Sequence, residues 1–174
     1  DGNGNHLWTG LIQGTKYDWC GGIALDDEGN SYVAGQAFFS LQFDAFVAKF
    51  DRNGNRWWTA YFGGGGPDMG LAVAVDGGGN VYATGYSASS WGTPLNPHAG
   101  WGDAFLVKYD NNGNRLWNTF FGGEGADEAR SLALDAYGNL FAAGYSSESW
   151  GEPLTPHAGY SDIMLAKLDG NGRR

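Results

Sequence analysis

The chain has 174 residues, with 19 Asp+Glu against 10 Lys+Arg and a formal net charge of −9. Its 31 glycines are about 18% of the chain, where about 7% is usual, and its 8 Trp, 9 Tyr and 10 Phe exclude a solvated, disordered polymer. The acid excess excludes nucleic acid and an anionic bilayer surface as partners, since both need a basic face, and no apolar run approaches the roughly 18 residues of a membrane span.

The length allows one ordinary domain. No signal segment precedes Asp1, so any targeting peptide is expected to have been removed or to lie outside this sequence. The motif Asp-x-x-Gly-Asn opens at Asp1 and recurs at Asp26, Asp51, Asp76, Asp110 and Asp135; a last copy at Asp169 has Arg173 in place of Asn. Spacings of 25, 25, 25, 34, 25 and 34 divide the chain into units 1–50, 51–109 and 110–168, with 169–174 beginning a fourth. Units two and three are identical at 31 of 59 positions without a gap. Unit one differs at Gln13, where Gly is expected, and lacks nine residues in the connection around 38–42. The whole of 1–174 therefore reads as a single repeat segment.

The motif predicts a hairpin turn. Asp accepts hydrogen bonds from backbone N–H groups two or three residues on, and Gly at the fourth position suits a left-handed residue. The flanking β-branched and aromatic runs predict strands. In the order of the second unit these are A at 44–50, B at 55–62, C at 68–76 and D at 80–87. No long segment has helical periodicity. Between D and the next A runs Ser-x-x-Ser-Trp-Gly-x-Pro-Leu-x-Pro-His-Ala-Gly, at 87–100 and again at 146–159. This long connection predicts the crossover from the outer strand of one four-stranded blade to the inner strand of the next. Strand A, nearly all apolar, then takes the inner position.

Three features carry a family resemblance: Asp-Ala-Phe-Val-Ala-Lys (44–49) and Asp-Ala-Phe-Leu-Val-Lys (103–108), Phe-Gly-Gly at 62–64 and 121–123, and Val-Asp-Gly-Gly-Gly-Asn-Val-Tyr-Ala-Thr-Gly-Tyr (75–86). They resemble the bacterial SBBP repeat over essentially the whole chain. The resemblance implies an all-β propeller of four-stranded antiparallel blades and a secreted or cell-surface setting in a bacterium. It implies no activity.

Counted in this phase, the chain holds B-C-D, two complete blades and one orphan A, twelve strands in all. Closed propellers have about four to eight blades, and unpaired strand edges attract partners. The expected assembly residues are Asn5, Leu7, Trp8 and Leu11 at one end and Asp162, Ile163, Leu165 and Lys167 at the other. Strand complementation between copies then gives a six-bladed ring from two chains, or an open filament. The competing expectation is a longer array in which the adjacent repeat follows Arg174.

Candidate chemistry is sparse. Asp-x-Asn-Gly-Asn lacks the Gly at position six and the Glu at position twelve of an EF-hand, leaving only a looser calcium site at Asp51, Asn53 and Asn55 beside the plain turn reading. His98 and His157 are equivalent and have no third ligand for zinc. The acids before strand C (Asp18, Asp68, Asp127) and before strand A (Asp44, Asp103, Asp162) recur in every unit. They are read as turn caps or as partners of Lys49, Lys108 and Lys167, since a catalytic acid breaks repeat symmetry. The run 63–66 lacks the Lys of a phosphate loop, and Cys20 reads as a buried, inert thiol. The aromatics Trp91, Trp101, Trp150 and Tyr160 are the candidate ligand-binding residues, either stacking on sugar rings or packing between blades. The sequence thus predicts a non-catalytic extracellular assembly module without a cofactor, with a glycan-binding propeller and a polysaccharide-acting enzyme as alternatives.

Overall fold

The computed structural model describes residues 2–12 and 16–173; Asp1 and Gln13, singled out by the repeat, lie outside them. The described residues form eleven strands and no helix. β1 (Asp18–Leu25), β2 (Ser31–Phe39), β3 (Gln42–Phe50) and β4 (Arg56–Phe62) make the first sheet. β5 (Asp68–Val75), β6 (Val81–Ser87), β7 (Asp103–Tyr109) and β8 (Arg115–Phe121) make the second. β9 (Asp127–Leu134), β10 (Leu140–Ser146) and β11 (Asp162–Leu168) make the third, and every pairing is antiparallel between chain neighbours. These are propeller-type blades, the third incomplete.

The turns form as their chemistry dictates. Asp26 Oδ1 accepts the backbone N–H groups of Glu28 and Asn30 at 3.1 and 2.8 Å, and Oδ2 accepts Asn30 Nδ2 at 2.8 Å. Gly29 sits at φ 82°, where a side chain is strained. The same cradle closes around Asp51, Asp76, Asp110 and Asp135. At Asp169 the N–H of Arg173 takes the place of that of Asn.

The phase of the blades differs from the sequence expectation. Each sheet runs C-D-A-B, not A-B-C-D. D and A pair in full register, Val81 with Tyr109 through to Ser87 with Asp103, so the long connection is a wide loop inside a sheet. The interblade crossover is instead the glycine-rich stretch 63–67, and again 122–126. A long linker is unnecessary: five extended residues reach about 17 Å, and three interstrand gaps of about 4.8 Å make about 14 Å. C, not A, is innermost. A Cβ at Gly21 of β1 would lie 2.1 Å from the Gly70 carbonyl oxygen of β5, so successive C strands meet backbone to backbone.

Alternation along each strand sends side chains to two faces, and both are used. The trailing face of the first sheet (Tyr32, Ala34, Val47) packs on the leading face of the second (Val81, Phe105, Val107). The trailing face of the second (Tyr82, Ala104, Leu106) packs on the leading face of the third (Leu140, Met164, Leu168). The A strand of the second blade, β7, is buried on both sides because a blade lies against each, not because it lines a channel; on the first blade Ile12 takes part in covering the leading face of β3.

The first blade is thus finished within the chain, contrary to expectation, and the count is eleven strands rather than twelve. Residues 5–12, the expected first B strand, join no sheet. They still occupy the position of one. Trp8 Nε1 donates to the Arg52 carbonyl at 3.2 Å and its ring covers Gly54. Trp58 of β4 does the same to Asn111 at 3.1 Å and Gly113, and Trp117 of β8 covers Gly172. Residues 5–12 therefore sit against the first blade as the outer strand of a preceding blade would. Among the described residues the third blade has no strand paired outside β11.

Candidate functional site

The open edge is β11. In the finished sheets the A strand pairs with a B strand, Ala45 with Phe62 and Ala104 with Phe121. β11 pairs only with β10. Ile163 and Leu165 are 90% and 73% exposed, whereas Ala104 and Leu106 at the same repeat positions are fully buried. Lys167 lies with Nζ 5.2 Å from the Phe141 ring centroid, and Asp162 accepts the Ala158 N–H at 2.6 Å. Between β11 and the connection 146–158 opens a cavity of about 1120 Å³. At the other end Leu7 and Leu11 are exposed and Trp8 is partly so, with Ile23 and Leu25 uncovered on the leading face of β1. The expected residues Asn5, Leu7, Trp8, Leu11, Asp162, Ile163, Leu165 and Lys167 thus fall at two separate ends of one chain, and the structure does not bring them together.

The candidate aromatics divide. Trp91 is 6% exposed, so no ring face is available for a ligand. It packs on Phe62, Phe105 and Phe120 at centroid distances of 5.1, 5.6 and 5.5 Å and joins two blades. Trp150 is half-buried against Phe121 at 6.2 Å. Trp101 and Tyr160 are 86% and 98% exposed and take equivalent positions on neighbouring blades.

Sequence reasoning missed what the long connection does. In the second blade it runs along the free edge of β8. Leu95 N–H donates to the Asn118 carbonyl at 2.9 Å, Phe120 N–H to the Asn96 carbonyl at 3.3 Å, and Asn118 Nδ2 to the Trp91 carbonyl at 3.0 Å. The one sequence signal was Leu-x-Pro-His inside the connection, too short to read as a pairing segment.

The recurrent acids act as caps. Asp68 and Asp127 accept the N–H groups of Gly64 and Gly123, each at 2.8 Å, and Asp103 accepts that of Ala99 at 2.8 Å. The lysines do not pair with them. Lys49 is buried, bonds to Asn111 Oδ1, and lies over the Tyr32 and Trp57 rings at 5.2 and 4.4 Å. Cys20 is exposed rather than buried, because nothing covers that part of the leading face of β1. Asp51, the calcium alternative, spends its carboxylate on Asn53 and Asn55. Among the described residues no group of three or more His, Cys, Asp or Glu could hold a metal ion, and no helix is long and apolar enough to cross a membrane.

Burial pushes Asp68 up to about 6 against the Ser87 hydroxyl and the Gly64 N–H, with Asp44 adding repulsion. Burial likewise pushes Asp103 up to about 6 against the Ala99 N–H and His98, with Asp127 adding repulsion. The turn acids Asp51, Asp110 and Asp135 move the other way, held down first by Asn55, Asn114 and Asn139. A raised acid binds its proton more tightly when folded, so stability is gained as pH falls through about 6 toward the unfolded value near 4. A depressed acid contributes stability above its unfolded value that is lost at lower pH. Thermal unfolding is therefore expected to give a higher Tm at pH 5 than at pH 7.5, with a sharp fall below pH 3.5. A flat profile between 5 and 7.5 would show that the buried pair carries no charge penalty.

Residues 7–37 match the family model for the SBBP repeat, described as a beta-propeller repeat. The match begins in the unpaired outer-strand segment, runs through β1 and ends in β2. The chain carries a repeat of this type. No curated protein matches it.

Proposed function

We propose that this protein is a non-catalytic interaction module of an extracellular or cell-surface kind, assembling head to tail by strand complementation between copies. One observation supports the reading: a three-strand sheet with an open edge stands at one end and a segment that joins no sheet at the other. The third blade wants an outer strand, and residues 5–12 have the sequence position and the packing of an outer strand without a blade. The uncovered apolar residues Ile163 and Leu165 face outward at one end, and Ile23 and Leu25 at the other. Inside the chain the equivalent faces meet twice, forming the two interblade cores. Residues 5–12 need not leave their own first blade to complete the third blade of a second copy. Two chains then supply six blades.

Sedimentation equilibrium on the full chain at micromolar concentration is expected to show a dimer or larger species. Leu165→Asp is expected to return it to monomer with an unchanged strand spectrum, since that side chain is already exposed in the single chain. A soluble wild-type monomer with intact strand signal would defeat the proposal. A glycan-binding reading retains one supporting observation, the exposed rings of Trp101 and Tyr160 on adjacent blades.

A further inference from the structure

We infer that the cavity beside β11 is a two-sided strand socket. Its second wall is the connection 147–158, which closes along the outer edge of the inserted strand. This rests on the head-to-tail reading and adds what grips the strand and in which register.

The second blade displays the same socket filled. There β8 lies between β7 on one side and residues 95–96 on the other, with main-chain hydrogen bonds to both. The third blade carries the same wall: Trp150, Pro153, Leu154, Pro156 and His157 stand where Trp91, Pro94, Leu95, Pro97 and His98 stand. In the third blade this wall is open. His98 Nε2 lies 3.1 Å from the Ser87 carbonyl, and its ring packs on Phe120 of the seated strand at 5.3 Å. The equivalent His157 Nε2 is buried without a hydrogen bond, 4.0 Å from Asp162 Oδ2. Leu154 is wholly exposed.

The first blade shows what the wall accomplishes, because its connection is nine residues shorter. Tyr61 on its outer strand is 41% exposed, whereas Phe120 at the same repeat position, under a full connection, is 1% exposed. The connection seals the outer strand from solvent.

The register follows from the filled pairs, Ala48 with Thr59 and Lys49 with Trp58. Transferred by repeat position, Ala166 opposes Thr9 of the second copy, Lys167 opposes Trp8, and Ile163 opposes Ile12. Leu154 N–H then donates to the Thr9 carbonyl, Leu11 N–H donates to the Thr155 carbonyl, and the His157 ring covers Leu11. The guest segment 5–12 has no acidic side chain to oppose Glu148, Glu152 and Asp162 of the socket.

The test uses the full chain with Cys20→Ser. Thr9→Cys combined with Ala166→Cys is expected to give an intermolecular disulfide on oxidation, and the off-register pair Leu11→Cys with Ala166→Cys is not. Leu154→Pro removes the wall's donor at an exposed site and is expected to weaken self-association about tenfold, the worth of one main-chain hydrogen bond. In the wild type the Leu154 amide is expected to become protected from hydrogen exchange on assembly. An in-register crosslink with unchanged affinity in Leu154→Pro and an unprotected Leu154 amide would overturn the two-sided socket and leave strand complementation standing. Absence of both crosslink and association overturns both.

Discussion

Gly85→Ala is expected to unfold the middle sheet, at a cost of about 3 kcal/mol, the upper end of what overpacking costs. A Cβ at Gly85 would lie 1.8 Å from the Met69 carbonyl oxygen and 2.9 Å from its carbon. Both atoms are backbone of the neighbouring strand, so no rotamer change relieves the clash. The site faces the bulge between Gly70 and Ala72, where the inner strand bends toward its partner. Gly35 and Gly144 hold the same place in the other sheets, 2.1 and 1.8 Å from the carbonyls of Trp19 and Glu128. Gly77→Ala provides the control: a Cβ there meets nothing within 4 Å, and unit three already has Ala136 at that position. Urea unfolding should place Gly77→Ala at or slightly above wild type, since lost unfolded-state freedom favours it. Equal midpoints for the two variants would mean that the D strand does not approach β5 as closely as described.

Trp91→Ala is expected to cost about 3–5 kcal/mol, as for other large aromatic deletions from a core. The indole lies among Phe62 of the first blade and Phe105 and Phe120 of the second, and its Nε1 donates to Ser87 Oγ at 3.2 Å. Its removal loosens the joint between blades as well as the second sheet. Trp101→Ala, ten residues on and exposed, should shift stability by no more than about 0.5 kcal/mol. Thermal unfolding followed by near-ultraviolet circular dichroism separates the two. Comparable losses for both variants would contradict the division of the aromatics into buried and exposed sets.

Strand boundaries were legible because each strand is bracketed by Asp and Gly acting through purely local chemistry. The strand near 103–109 and the turn at Asp110 needed no tertiary information. The strand order was not legible, because sequence gives connection lengths while order depends on which strands pair. The long connection at 87–100 looked like the crossover, whereas the structure assigns that part to the short glycine-rich stretch at 63–67. The blade phase, the burial of Trp91 and the exposure of Cys20 all turn on which face meets a neighbour. Periodicity identifies two apolar faces on strand A but not what covers each. At the ends, the count of motifs made an incomplete blade legible, but as an orphan inner strand at 162–168; the structure instead leaves residues 5–12 as the segment without a sheet. That this segment sits beside the first blade in an outer-strand position was not legible.

Lys49 has a consequence for the order of the units. Its buried ammonium is held by the Asn111 side chain, which belongs to the next blade. Lys108 holds the same place one unit later, but Gly170 stands where an Asn would be, and Lys108 lies over the Tyr82 ring at 4.9 Å. The units therefore share a shape but are not interchangeable. Excising residues 51–109 would keep the frame of the repeat and set Lys49 opposite Gly170, a buried cation without its acceptor. The first joint carries a private address written in Lys49 and Asn111, which the second joint does not repeat and which sets the order of units that otherwise share one shape.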